Sequence, residues 1–247
     1  MLHVVDSGRV LRSFIASVAI VSTEVRCRVT DAGIAVRAVD QSNAYLVDTA
    51  IPAARFDAYQ CTECELCIDL SGIAQILDIL RGSAVTLRYS ESTREIRVAG
   101  GAYEFVLPAL DTAAVRPTPN FPALDRPVMV VLPGALLTAA LRVAQTMSEV
   151  AILSARPGPP PIFEVVGRND VKIARATHTD GDAGVVVAAT AEAESRFGAP
   201  VVSDLVRQFS GSLPVRIDLG SEMPVTLSGQ TAEGVPITYV VAPRIGT

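Results

Sequence analysis

The chain has 247 residues, of which 49% are hydrophobic and 19% charged, and its formal net charge is −5. This composition supplies a real core for one large or two medium domains and excludes a disordered chain; the negative charge excludes a global basic field, so any nucleic-acid surface has to be local. No apolar run approaches the roughly 18 residues of a membrane span, and residues 1–20 carry arginines and serines through an amphipathic pattern unlike a signal peptide, which points to an intracellular chain.

Residues 2–5 read as a short strand. Val10, Leu11, Phe14, Ile15 and Val18 then recur at helical spacing, with Arg9, Arg12 and Ser13 off that face. Val25, Cys27 and Val29 alternate as a strand, Thr30-Asp31-Ala32-Gly33 turns, and Ile34, Val36 and Ala38 continue as a second strand. Residues 44–51 are extended. Cys61, Cys64 and Cys67 follow as C-x-x-C-x-x-C, a spacing that invites zinc or an iron–sulfur cluster. A structural zinc takes four ligands, and cluster runs supply a fourth cysteine nearby. The only other cysteine, Cys27, sits in a distant strand, and His3 and His178 are remote in sequence. With Leu66, Ile68 and Leu70 alternating just after, the stretch reads as a turn running into a strand, and no metal or other cofactor is expected. A short helix with core face Ile73, Ile76, Leu77 and Leu80 ends at Gly82, and strands over 85–89, 95–98 and 103–107 complete the first half.

Residues 113–127, AAVRPTPNFPALDRP, interrupt the pattern. Prolines 117, 119, 122 and 127 remove donors and fix φ, so neither helix nor central strand fits. The segment reads as a connector between domains spanning 1–112 and 128–247. Phe121 and Leu124 are unusual in a solvated tether; they either dock the connector on its own protein or also line a binding groove. Beyond it the order repeats: a strand at 128–132, then a helix marked by Leu137, Ala140, Leu141 and Ala144. Strands follow at 150–153, 162–166, 171–176 and 185–189. A second short helix carries Val201, Val202, Leu205, Val206 and Phe209, and strands at 215–219, 225–227 and 237–241 close the chain. This is an internal duplication, with an expected α+β architecture of helices packed on one face of antiparallel sheets.

Each helix has about ten residues and one apolar stripe, so each needs a sheet beneath it. The exposed positions hold Arg9, Arg12, Arg81, Arg142 and Arg207 against Asp78 and Asp204, with Gln75 and Gln145 neutral. A solvated helix face would explain any one of these, but a surplus of arginine summed over the four helices of an acidic chain suits an anionic partner. All basic residues except Lys172 are arginine, the side chain suited to fixed phosphate contacts.

Gly33-Ile-Ala-Val-Arg-Ala-Val-Asp40-Gln-Ser-Asn43-Ala-Tyr-Leu46 resembles the strand–loop–strand signature of DNA sliding clamps of the proliferating cell nuclear antigen family. So do Phe56-Asp-Ala-Tyr59-Gln-Cys61 and Tyr239-Val-Val-Ala242-Pro243-Arg-Ile245. The likeness spans both halves in order, in the manner of an archaeal member. It implies a clamp fold with sheets outside and helices inside, and a homotrimer or one subunit of a heterotrimer closed around duplex DNA without sequence specificity. By the same resemblance Tyr103, Phe105 and Leu107 pair with Val171, Ile173 and Arg175 of the next subunit. Partner peptides of the form Q-x-x-h-x-x-a-a (h aliphatic, a aromatic) would dock on Val39, Asn43 and Leu46, on Phe121, Pro122 and Leu124 of the connector, and on Pro224. Tyr239, Val240, Val241, Ala242 and Pro243 complete that set.

The implied role is a polymerase processivity factor in DNA replication and repair, located with the DNA in nucleoid or nucleus. A clamp loader would place it, and polymerase, ligase and flap nuclease would use it. Gln75 and Asp78 depart from the lysines that family members often carry there. An enzyme is disfavoured: there is no Walker loop, no G-x-S-x-G and no H-E-x-x-H, and Asp180-Gly-Asp182 reads as an acidic turn. A protein-only scaffold of the same fold is the remaining rival.

Overall fold

Each half of the chain builds the same succession of elements. The computed structural model describes residues 1–120 and 123–244. The first half runs β1 (Leu2–Asp6), α1 (Arg9–Ala19), β2 (Glu24–Thr30), β3 (Gly33–Val39), β4 (Tyr45–Pro52), β5 (Ala58–Cys61), β6 (Cys64–Asp69), α2 (Leu70–Ile79), β7 (Val85–Ser90), β8 (Glu95–Gly100) and β9 (Tyr103–Pro108). The second runs β10 (Val128–Pro133), α3 (Gly134–Gln145), β11 (Val150–Arg156), β12 (Ile162–Arg168), β13 (Ile173–Thr179), β14 (Val186–Ala189), β15 (Ala193–Gly198), α4 (Ala199–Val206), β16 (Pro214–Leu219), β17 (Val225–Gln230) and β18 (Pro236–Val241). Two compact units result: residues 1–120 with 233–236, and the remainder.

The duplication is visible in strand order as well as sequence. In the first unit, strands hydrogen-bond in the orders β5-β1-β7-β8-β9 and β4-β3-β2-β6; in the second, β14-β10-β16-β17-β18 and β13-β12-β11-β15 repeat both. Within each unit the strands pair antiparallel, as in Val4↔Leu87 and Ile152↔Val166. Among the described residues no helix is long and apolar enough to cross a membrane.

The helices follow from their stripes. Val10, Leu11, Phe14, Ile15 and Val18 are all buried on α1, each worth roughly 2 kcal/mol against exposure. α1 packs with α2, and α3 with α4. Asp69 caps α2, its side chain accepting the Ser71 N–H at 2.9 Å. α3 has no side-chain cap. Its first two N–H groups, of Gly134 and Ala135, donate instead to the carbonyls of Leu213 and Gly211. Gly167 on β12 lets the end of α3 come close, because a Cβ there would lie 2.0 Å from the Ala144 carbonyl oxygen. At the β2–β3 turn Gly33 has φ 138°, and a Cβ would meet the Ile51 carbonyl oxygen at 2.0 Å.

The structure differs from the sequence expectation at four places. β5 and β15 are additional strands. β13 begins at Ile173, not 171, because the Asn169 side chain accepts the N–H groups of Val171 and Lys172 at 3.0 and 2.8 Å and holds them in a turn. On α4 the buried face is Ala199, Val202, Ser203, Leu205 and Val206, leaving Val201 half-exposed and Phe209 buried beyond the helix end. Phe209 meets Tyr239 edge-on, ring centroids 5.7 Å apart, inside the second unit.

Candidate functional site

The five helix arginines do not share one environment. Arg12 lies within unit 1 with its Nη1 donating to the Leu77 carbonyl at 2.8 Å, a tie to the end of α2. Arg81, just past α2, pairs with Asp78 at 2.8 Å, and Arg207 at the end of α4 pairs with Asp204, both three residues apart. Cations at helix C-termini also complement the dipole, so these two have a structural role in place. Arg9 and Arg142 are exposed and have no ion pair among the described residues. Of the five helix arginines they are the least engaged. Gln75 and Asp78 are exposed on α2, as the sequence suggested.

Two strands lie outermost in their sheets and carry exposed apolar side chains. On β9 Tyr103 is 61% exposed and Val106 51%, with Phe105 and Leu107 half-buried. On β13 Ile173 is 58% exposed, and Val171 in the preceding turn 87%. Arg175 pairs at 3.5 Å with Glu164, a buried carboxylate that also accepts the Thr177 hydroxyl. A soluble chain rarely leaves an outer strand with several large apolar side chains unless something covers them.

The residues expected to dock peptides fall in both units. In the first, Val39 is half-buried, Leu46 buried and Asn43 exposed. The loop between them is built on Asp40. Its Oδ1 accepts the N–H groups of Ala44 and Tyr45, each at 2.8 Å, while Oδ2 accepts the N–H and hydroxyl of Ser42, and Asn43 takes φ 57°. Burial alone would raise the Asp40 carboxyl, but the hydrogen bonds from Ser42, Tyr45 and Ala44 outweigh it and hold the pKa below the ordinary 3.8. A lowered folded value means that the loop's stabilisation is complete above that ordinary value and is lost as pH falls through the folded one. Amide shifts of Ser42, Ala44 and Tyr45 are therefore expected to titrate together with a midpoint below 3.8. A midpoint at or above it would contradict this account of the loop.

In the second unit Tyr239 and Val241 are fully buried, so their side chains belong to the core and cannot meet a peptide directly. Val240 is buried but for 6%, and Pro224, Ala242, Pro243 and Leu124 are half-buried. Arg126 donates through Nε to the Pro224 carbonyl at 2.8 Å. Phe121 and Pro122 lie outside the described residues.

Of the four cysteines, Cys27 and Cys67 are buried and Cys61 and Cys64 half-buried. Cys61 ends β5, Cys64 opens β6, and all four thiols are free. Cys27 is fully buried, and burial pushes its thiol up to about 12. Among the described residues no group of three or more His, Cys, Asp or Glu could hold a metal ion.

Residues 2–98 match the N-terminal domain of proliferating cell nuclear antigen. A protein of Methanosphaerula palustris named DNA polymerase sliding clamp is 30% identical over 247 residues, covering 99% of both chains. One of Methanothrix thermoacetophila with the same name is 29% identical over 246 residues, again 99% of both. Among solved structures, the proliferating cell nuclear antigen of Thermococcus kodakaraensis superposes with TM-score 0.85 at 25% identity, covering 99% of this chain and 100% of that one. That of A. fulgidus, solved with the C-terminal region of FEN-1 bound, superposes with TM-score 0.89 at 23% identity over 100% of both chains.

Proposed function

The chain belongs to the proliferating cell nuclear antigen family of DNA polymerase sliding clamps, and we propose that three copies of it close head to tail into a ring around duplex DNA. The observation that carries this reading is the pair of outermost strands, β9 and β13, each bearing exposed apolar side chains. In the ring β9 of one copy pairs with β13 of the next, covering Tyr103, Phe105 and Leu107 on one side and Val171, Ile173 and Arg175 on the other. A head-to-tail contact of this kind forms a closed assembly when its rotation matches the number of copies.

Such a ring works by topology. Encirclement prevents dissociation, while diffuse phosphate contacts carry no base information and permit sliding. The helices face the DNA, with Arg9 and Arg142 the principal phosphate contacts and Arg12, Arg81 and Arg207 secondary because each is already engaged. The protein carries out no reaction of its own. It tethers polymerase, ligase and flap nuclease, and a clamp loader places it on DNA.

Tethering uses peptides of the form Q-x-x-h-x-x-a-a, a reading supported by the related clamp solved with a nuclease C-terminal region bound. Val39, Leu46 and Asn43 of the first unit and Val240, Ala242, Pro243 and Pro224 of the second contact the peptide, with the connector over it. In isothermal titration calorimetry such a peptide is expected to bind the wild-type chain in the micromolar range. Val39→Glu and Val240→Asp should each weaken it about tenfold or more, since a charge would be buried against an apolar anchor. Melting curves run alongside separate this from unfolding. Equal affinity in folded wild type and both variants would move the peptide site elsewhere.

A further inference from the structure

The first half of the connector is fastened to the first unit by arginines that neither helix stripes nor strand patterns explain. Arg26 on β2 donates through Nη2 to two carbonyls, that of Thr112 just before the connector at 2.7 Å and that of Val115 within it at 3.0 Å, and through Nη1 to Glu65 at 3.1 Å. Its planar fork suits three acceptors at fixed angles, which a lysine ammonium would not reproduce. Arg94 acts from the β7–β8 turn. Its Nη2 donates to the Leu110 carbonyl at 3.0 Å, and its own carbonyl accepts the Ala109 N–H at 2.8 Å. Leu110 N–H in turn donates to the Cys67 backbone carbonyl at 2.8 Å. At the far end Arg116 donates to the Asp40 carbonyl at 2.8 Å, which joins the connector to the loop between Val39 and Leu46.

The consequences are visible in burial. Val115 is only 4% exposed although it sits in a proline-rich segment. Cys67 pairs across β2–β6 with Arg26 and therefore shares its face, opposite to the core face of Leu66 and Cys27. It is nevertheless only 2% exposed.

We propose that Arg26, with Arg94 and Arg116, is a clamp that seats residues 110–116 before any partner arrives, and that Arg26 is a positioning residue for peptide binding. The second half of this rests on the peptide reading above. A connector already ordered on its unit spares the partner the entropy of ordering it, whereas a loose one subtracts that entropy from affinity. Arg116 extends the same effect to the Asp40 loop, so connector and loop are held in one arrangement.

Site-resolved maleimide labelling of the full-length chain tests the clamp, because Cys67 reports the connector face and Cys27 the core. In Arg26→Met, which keeps an unbranched apolar stem but removes every side-chain donor, Cys67 is expected to label about tenfold faster or more while Cys27 stays protected. Arg26→Lys should resemble Arg26→Met, since the fork is lost. Affinity for the Q-x-x-h-x-x-a-a peptide should fall about fivefold to tenfold in both, with the loss in binding entropy and the binding enthalpy nearly retained. Unchanged Cys67 labelling in Arg26→Met would overturn the clamp. Cys27 and Cys67 exposed together would also overturn it, because that is loss of the unit and not release of the connector. Faster Cys67 labelling with unchanged peptide affinity would overturn the positioning role alone. A wild-type chain that binds no peptide would remove the peptide reading and the positioning role with it, while the labelling result would still decide the clamp.

Discussion

At micromolar concentration the wild-type chain is expected to sediment at about 78 kDa, three times its 26.0 kDa, and Tyr103→Ala at the mass of one chain. Tyr103 offers a large aromatic surface at an outermost strand, and covering it contributes roughly 2 kcal/mol per contact, about thirtyfold in affinity. Ile173→Asp should act on the opposite edge with equal severity, because it puts a charge against an apolar strand. The two variants together make a sharper test than either alone. Tyr103→Ala keeps a sound β13 and Ile173→Asp a sound β9, so a mixture retains one good contact. A head-to-tail interface therefore predicts a heterodimer of about 52 kDa, two 26.0 kDa chains, from two monomeric variants. An interface that joins like to like would give no recovery. A wild type that stays at the mass of one chain would point to a heterotrimer with other subunits.

Arg9→Ala with Arg142→Ala is expected to weaken DNA binding far more than Arg81→Ala with Arg207→Ala. The first pair has no ion pair among the described residues, whereas Asp78 and Asp204 already compensate the second. Removing Arg81 and Arg207 also uncovers two aspartates, yet Asp78 is exposed and Asp204 only half-buried, positions where pairs are worth only about 0.5 kcal/mol. Six arginines disappear from a ring of three in the first variant. The slope of log affinity against log salt should become shallower by up to about 5 if each meets a phosphate. Arg12→Ala belongs apart: it deletes a charged hydrogen bond to the Leu77 carbonyl and should cost the first unit about 1–2 kcal/mol of stability. Equal slopes for both pairs would mean that Arg9 and Arg142 are merely solvated.

Much of the fold was legible because its elements are strongly patterned. The stripe Val10, Leu11, Phe14, Ile15 and Val18 leaves no choice but a helix on a sheet, and all five are buried. The duplicated order of strands and helices is matched by duplicated sheet order. β15 escaped because its inward residues include Ala193 and Ser195, too small or polar to mark a strand; Ser195 is buried with its hydroxyl on the Gly220 carbonyl at 2.8 Å. β5 escaped because Ala58-Tyr59-Gln60-Cys61 has no apolar alternation, its register coming instead from pairing with β1.

The candidate site was legible to a different degree. The spacing of Asp78 and Arg81, and of Asp204 and Arg207, was a readable sign of pairing on a helix. The tie of Arg12 to Leu77 was not, since 65 residues separate them. Nor were the connector bonds of Arg26, whose acceptors are backbone carbonyls 86 and 89 residues away and carry no side-chain signature. Tyr239 and Val241 fall in one of the clamp-like stretches of the sequence, yet alternation in β18 turns both inward.

The measurement that bears most directly on the central claim is retention on a nicked circular duplex, loaded with a clamp loader and ATP, before and after the circle is cut. A topological clamp is expected to remain on the circle at a salt concentration that abolishes direct DNA affinity, and to be lost within minutes once a single cut supplies ends. Retention that falls with salt to the same extent on circular and linear DNA would contradict encirclement and leave only a protein that binds DNA by its surface.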